Sequence, residues 1–221
     1  MAGAMRGGYL TLGRWRGAPV RAHWSLPIGA FVFGQGQFVP GFWLGFFLLL
    51  LVHELGHAVL VKRYGHRVRS IDLHGLGGAC CWTGEPTAID RARIAWGGVL
   101  AQAVAYGIAV AAIALAGPPE SALAAQLASA FTTTNIWLIA INLLPVSPLD
   151  GAEAWKLPRL LAAQRRTRAS EARAGRGFAF ERDAATLQRY ADQPSEDVKT
   201  AVDDALRRIG GDAGAAKKPR D

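Results

Sequence analysis

Cysteine is scarce in this 221-residue chain: there are two, Cys80 and Cys81, and they are adjacent. That excludes a disulfide framework. It also disfavours a cysteine metal site, whose ligands usually stand two or more residues apart. The pair reads as small, reduced, partly buried side chains. No internal repeat is visible. No clear small-residue cleavage site follows the long, polar start, so a secretory signal peptide is not expected. The net charge of +8 comes with neither aromatic interleaving nor a recognition motif, so nucleic acid is not an expected partner. Lysine and arginine are absent from Gly34–Pro40 and from Gly117–Ala122.

What is present is distributed unevenly. The chain is 51% hydrophobic, but the apolar residues gather in long runs before about Leu149, and the polar ones follow Lys156. A membrane region followed by a polar tail is the simplest reading. About 20 mostly apolar residues are needed to span a bilayer. Gly41–Val61, Ile94–Ala116 and Leu123–Leu144 meet that length. Trp24–Val39 is weaker, being short and carrying Pro27, Gln35 and Gln37; it reads as a short tilted span or a re-entrant segment.

The basic residues give a direction. Residues 1–23 carry Arg6, Arg14, Arg16 and Arg21; residues 62–93 carry Lys62, Arg63, Arg67, Arg69, Arg91 and Arg93; the rest of the 25 lie from Lys156 onward. With four spans all three groups share one side, which the positive-inside tendency makes cytoplasmic. Both termini are then cytoplasmic, and the lipid bilayer, with its anionic headgroups, is the electrostatic partner. The expected organisation is a cytoplasmic segment at 1–23, a membrane domain at 24–155, and a basic linker with a small helical tail at 156–221. The tail reads as a linker over Gln164–Arg182, solvated or lying on the membrane. One or two amphipathic helices follow, broken at Pro194, and Gly210–Asp221 should fray. The tail is too small for a robust core of its own and should pack on the membrane domain, a partner or a second copy in a homo-oligomer.

Inside the first strong span lies His53-Glu54-Leu55-Gly56-His57, the pattern H-E-x-x-H. On a helix the two imidazoles stand one turn apart on one face and can reach one ion, with Glu54 beside them to take a proton from water. Ionisable groups inside a span are expensive and point to function. Two histidines need a third ligand. The last span closes in "INLLPVSPLDG", Ile141–Gly151, where Pro145 and Pro148 should end regular helix. Asp150 there can supply a carboxylate, with Gly151 permitting a sharp turn behind it; the alternative is an ordinary turn acid outside the membrane. His57 lies five residues before Lys62 and Asp150 six before Lys156, so both should sit near the cytoplasmic edge of their spans. A nitrogen and carboxylate donor set suits zinc, although residue types alone leave other divalent ions open. His66 and His74, in a basic loop, read as solvated, and His23 as an interfacial anchor.

"HELGH" in an apolar helix, then "NLLPVSPLDG" closing a later span, resembles the site-2 protease family of intramembrane zinc metalloproteases. "GLGGA" at Gly75–Ala79 and the following "RIAWGGVLAQAVAYGIA" resemble that family's loop and middle core helix. The resemblance covers roughly residues 20–155. It implies an all-α integral membrane fold: a three-helix core, one added N-terminal span and a short β or re-entrant loop. It implies His53, His57 and Asp150 as ligands to one Zn2+, and Glu54 as catalytic base. Asn142 would hold substrate or support the oxyanion, and Gly77 and Gly78 would belong to a segment that pairs with unwound substrate; a plain tight turn is the other reading of the glycines. It implies cleavage in or near the transmembrane segment of a single-pass protein: a membrane-tethered transcription regulator, an anti-sigma factor or a signal-peptide remnant. The location would be the bacterial cytoplasmic membrane. No insert is long enough for a PDZ domain. Two other readings use the same residues: a membrane metal-binding protein without proteolysis, and an inactive scaffold that binds helices.

Overall fold

A computed structural model of the chain describes residues 7–191, 200 and 202–208. It divides into two units, Met1–Leu161 and Ala162–Asp221. The first is mostly helical but carries a four-stranded sheet, which corrects the all-α expectation. β1 (Tyr9–Trp15) and β2 (Ala18–His23) form a hairpin, and β3 (Arg67–His74) and β4 (Gly77–Thr83) form another. The order is β1-β2-β3-β4, with β2 and β3 parallel and the outer pairs antiparallel.

The first hairpin lies where a loose cytoplasmic segment was expected. Trp15 pairs with Ala18 across a two-residue loop, and both loop residues, Arg16 and Gly17, have positive φ. That is the tight connection whose twist matches two antiparallel strands. The local signal is weak because arginine rarely takes this conformation. Pairing to β3 reinforces it: Arg21 of β2 sends Nε and Nη2 to the two carboxylate oxygens of Asp72, both at 2.6 Å, and Nη2 also reaches Ser70 Oγ. Neither partner is visible from within residues 9–23.

The weak first span resolves into a shorter object. α1 covers Leu26–Phe33, eight residues and so about 12 Å, well short of a hydrocarbon core of about 30 Å. At its start Gly29 packs against the Gly75 backbone, and Ser25 Oγ accepts from the Gly75 N–H. At its end Phe33 stacks near Phe46. Among the described residues three helices are long and apolar enough to cross a membrane: Pro40–Arg63, Ala88–Ala116 and Ala122–Asn142.

α2 (Pro40–Arg63) is the central element. Proline at its start costs no hydrogen bond, since the first N–H groups are unpaired anyway. α3 (Ala88–Ala116) begins in a reciprocal cap: Thr87 Oγ1 accepts from the Asp90 N–H while the Asp90 carboxylate accepts from the Thr87 N–H. The third helix is α4 (Ala122–Ser129), a π-helical turn (Ala130–Thr134) and α5 (Asn135–Asn142). α2 meets α3 through glycine. A Cβ on Gly56 would collide with the Gly97 carbonyl, and one on Gly45 would lie 2.5 Å from Ala130 Cβ. Small residues let helix backbones approach where lipid offers no hydrophobic drive. Phe46, Leu49, Val61, Ile71 and Leu73 fill the interior between α2 and the sheet.

After α5 the two prolines break the chain, as their chemistry requires. A short α6 (Gly151–Ala154) follows, tied back by Trp96 Nε1 donating to the Ala154 carbonyl at 3.0 Å. Gly151 has no positive φ; a Cβ there would strike the Leu143 and Leu144 carbonyls. Its role is close approach, not the sharp turn expected. α7 (Leu157–Ala191) is one continuous helix through the stretch expected as a linker. Alanine, arginine, glutamate and glutamine all favour helix, which outweighs two glycines over that length. In the second unit residues 202–208 are helical and Val202 is buried. The expected break at Pro194 and the fraying after Gly210 lie outside the described residues.

Candidate metal centre

His53 and His57 are buried on α2, and Asp150 is carried to them by the broken segment before α6. His53 Nε2 lies 3.0 Å from His57 Nε2 and 2.9 Å from Asp150 Oδ2; His57 Nε2 lies 3.1 Å from the same oxygen. Residues 93 and 97 positions apart in sequence thus bring three donor atoms to one point.

The other ring nitrogens fix what those atoms are. His57 Nδ1 is 2.7 Å from the Ile94 carbonyl, which can only accept, so Nδ1 carries the proton. His53 Nδ1 is 3.0 Å from Gln102 Oε1, likewise an acceptor. In the neutral rings both Nε2 atoms then hold lone pairs. Two lone pairs and a carboxylate oxygen facing one another at about 3 Å repel unless positive charge sits among them. The donor set therefore fits a divalent cation, and the outer hydrogen bonds hold the imidazoles in the ligating tautomer.

Glu54 is 3% exposed, on the same helix turn. Gly78 of β4 lies against it: a Cβ at Gly78 would overlap Glu54 Oε1. Gly98 of α3 lies as closely on the His53 ring, where a Cβ would stand 2.5 Å from Nε2. Gly77 is different: its φ is +142° and its Cβ position is open, so it serves the backbone conformation. Asn142 ends α5, half-buried, and among the described residues its side chain makes no hydrogen bond. It is not part of the ligand group.

Two residues that the sequence reading passed over belong to the surroundings. Gln102 is fully buried and orients His53; its backbone carbonyl accepts from Asn135 Nδ2 at 2.9 Å. Asn135 is also fully buried. The available signal was the glutamine itself, an amide inside "VLAQAVAYG". Among the described residues the other histidines take no part in the metal group. His23 Nδ1 pairs with Ser25 Oγ, and His66 is half-buried beside Trp82 rather than solvated. Both cysteines are free, with Cys80 half-buried and Cys81 exposed.

Two buried imidazoles and an adjoining glutamate on a helix long and apolar enough to span, with a half-buried carboxylate brought to them, define a membrane protein with a group fit to hold a metal. Comparison sharpens that class. The chain is 35% identical over 164 residues to "Putative zinc metalloprotease Rip3", found in two strains of Mycobacterium tuberculosis; the match covers 64% of this chain and 41% of the relative. The chain thus spans about two fifths of the length of the curated relatives it matches. Its fold is similar to that of the site-2 protease from Methanocaldococcus jannaschii, with TM-score 0.54 and 22% identity over 67% of this chain and 70% of that one. No protein-family model matches. The sequence match is thus to a zinc metalloprotease relative, and the fold is that of a site-2 protease structure.

Proposed function

We propose that the chain is an intramembrane zinc metalloprotease that hydrolyses a peptide bond in or near the transmembrane segment of a single-pass protein. The observation that carries this reading is Glu54, buried on the helix turn that bears His53 and His57, two of three convergent metal-donor groups. A metal-binding protein has no need of that carboxylate. A proton acceptor beside an activated water does.

His53, His57 and Asp150 would hold zinc. Bound zinc supplies Lewis acidity toward the scissile carbonyl and a lowered pKa for water. Glu54 accepts the proton of the attacking water and returns it to the leaving amine nitrogen. β4 is the outer strand of the sheet, and Gly78 puts it against Glu54. A substrate unwound into extended form can add along that free edge, its backbone then lying beside the base. Asn142, Gly77 and Gly78 are proposed for substrate holding. The substrate classes are membrane-tethered transcription regulators, anti-sigma factors and signal-peptide remnants.

The location is the bacterial cytoplasmic membrane, with both termini cytoplasmic. Parallel pairing of β2 with β3 supports the common side: it joins the basic segment before α1 to the basic segment after α2. The short α1 takes the place of the expected first span, Trp24–Val39. Residues 24–155 form the catalytic domain and 156–221 an accessory tail, through which two copies can associate.

The test is Glu54→Gln in detergent-purified protein, with a single-pass reporter in reconstituted membranes. Zinc should remain near one per chain while cleavage disappears. Wild type that holds zinc but cleaves no single-pass reporter favours the metal-binding reading. Folded wild type that takes up no zinc favours the helix-binding scaffold.

A further inference from the structure

A second built feature lies away from the metal centre. A cavity of about 330 Å³ opens where the β1–β2 turn, the start of β3 and the end of α2 meet. Four cations line it: Arg16 from the turn, Lys62 from α2, and Arg67 and Arg69 from β3. Trp15 forms another wall, and no aspartate or glutamate is among the lining residues. Among the described residues none of the four has a carboxylate partner.

Chance does not readily gather these charges. They come from three elements, and the backbone adjusts to bring them together. Val68 pairs with Trp82 and Ser70 with Cys81, so Arg69 is an extra residue in β3. Such bulges re-aim a side chain. Arg67 and Arg69 stand exposed on either side of buried Val68. Arg16 has φ +48° at the tight turn, and its guanidinium lies 5.7 Å from the Trp15 ring centroid. The α2 carbonyls nearby do not oppose an anion, because those of Leu60, Val61 and Lys62 already accept from the N–H groups of Tyr64, His66 and Gly65. Four like charges in one concavity repel each other unless an anion joins them.

The depth selects the anion. Lys62 and Arg63 end a 24-residue apolar helix, which puts this cavity at the level of lipid headgroups. Tryptophan beside cations is the composition of that layer. We propose that this cavity binds a phosphate group, and that its source is the headgroup of an anionic phospholipid. The site requires only that α2 spans the membrane and does not depend on proteolysis.

The test uses the full chain in detergent, with lipid retention followed by native mass spectrometry and stabilisation followed by thermal unfolding. The probes are phosphatidylglycerol, phosphatidylcholine and soluble glycerol phosphate. Wild type should retain phosphatidylglycerol over phosphatidylcholine. Arg67→Ala with Arg69→Ala should weaken that retention about 30-fold, as two near-surface cations are lost. Arg67→Lys with Arg69→Lys should keep most of it. Arg165→Ala with Arg166→Ala, on α7, should leave it unchanged. Equal losses from both alanine pairs, or no headgroup preference in wild type, would overturn the site. Glycerol phosphate binding as tightly as the lipid would overturn the lipid source. If the β3 pair unfolds in phosphatidylcholine, Arg16→Ala with Lys62→Ala carries the same expectation.

Discussion

Gln102→Leu separates a positioning role from simple packing. The glutamine is fully buried, and its Oε1 lies 3.0 Å from His53 Nδ1. Its Nε2 has no partner among the described residues. The change therefore removes one useful hydrogen bond and one unpaired donor, while leucine fills a similar volume. What remains is a buried His53 N–H without an acceptor, which costs about 1–3 kcal/mol. The ring can escape by moving its proton to Nε2, the very atom aimed at the metal. Zinc binding then forces the proton back to Nδ1, so the cost falls on metal binding: about 5- to 150-fold in zinc affinity, which brackets the loss typical when an outer partner of a ligating histidine is removed. The assay is zinc competition against a chromophoric chelator, on the Glu54→Gln background so that autolysis plays no part. Gln102→Glu should hold affinity at or above wild type, because a carboxylate is the stronger acceptor. Thermal unfolding of the metal-free forms should differ little, since the lost donor cost nothing to remove. Unchanged zinc affinity in Gln102→Leu would refute the reasoning. So would equal losses in the leucine and glutamate variants, which would indicate volume rather than hydrogen bonding.

Three further outcomes follow from close contacts. Gly98→Ala puts a methyl into the His53 ring and should abolish zinc binding, whereas Gly107→Ala on the same helix meets open space and should be neutral or stabilising by up to about 1 kcal/mol; zinc content and thermal unfolding read both. Gly78→Ala crowds Glu54 rather than a ligand, so cleavage of a single-pass reporter should collapse while zinc stays near one per chain; loss of zinc would place β4 differently. Asp72→Asn breaks the paired hydrogen bonds from Arg21 and should cost about 1–2 kcal/mol, seen as earlier thermal unfolding, with no change in zinc affinity.

The sequence by itself determined the features that rest on short range or on composition. His53 and His57 stand four residues apart on a helix, so their common face follows from helical geometry alone. The apolar runs are long enough that burial in lipid needs no tertiary information. Pro145 and Pro148 end α5 through their own covalent structure. The tertiary structure decided whatever depends on a distant partner. Asp150 was a plausible acid, but only folding brings it within 2.9–3.1 Å of both imidazoles. Gln102 and the Ile94 carbonyl become outer partners because Gly56 and Gly97 let α2 and α3 touch. The β1–β2 hairpin was illegible because its strands are too short to stand alone and its clasp to Asp72 lies some fifty residues away. The doubtful first span, Trp24–Val39, holds only an eight-residue helix, docked by its Gly29 on the Gly75 backbone. Local sequence carries its own propensity but not the identity of the surface it will meet, and here that surface set the sheet and the surroundings of the metal site.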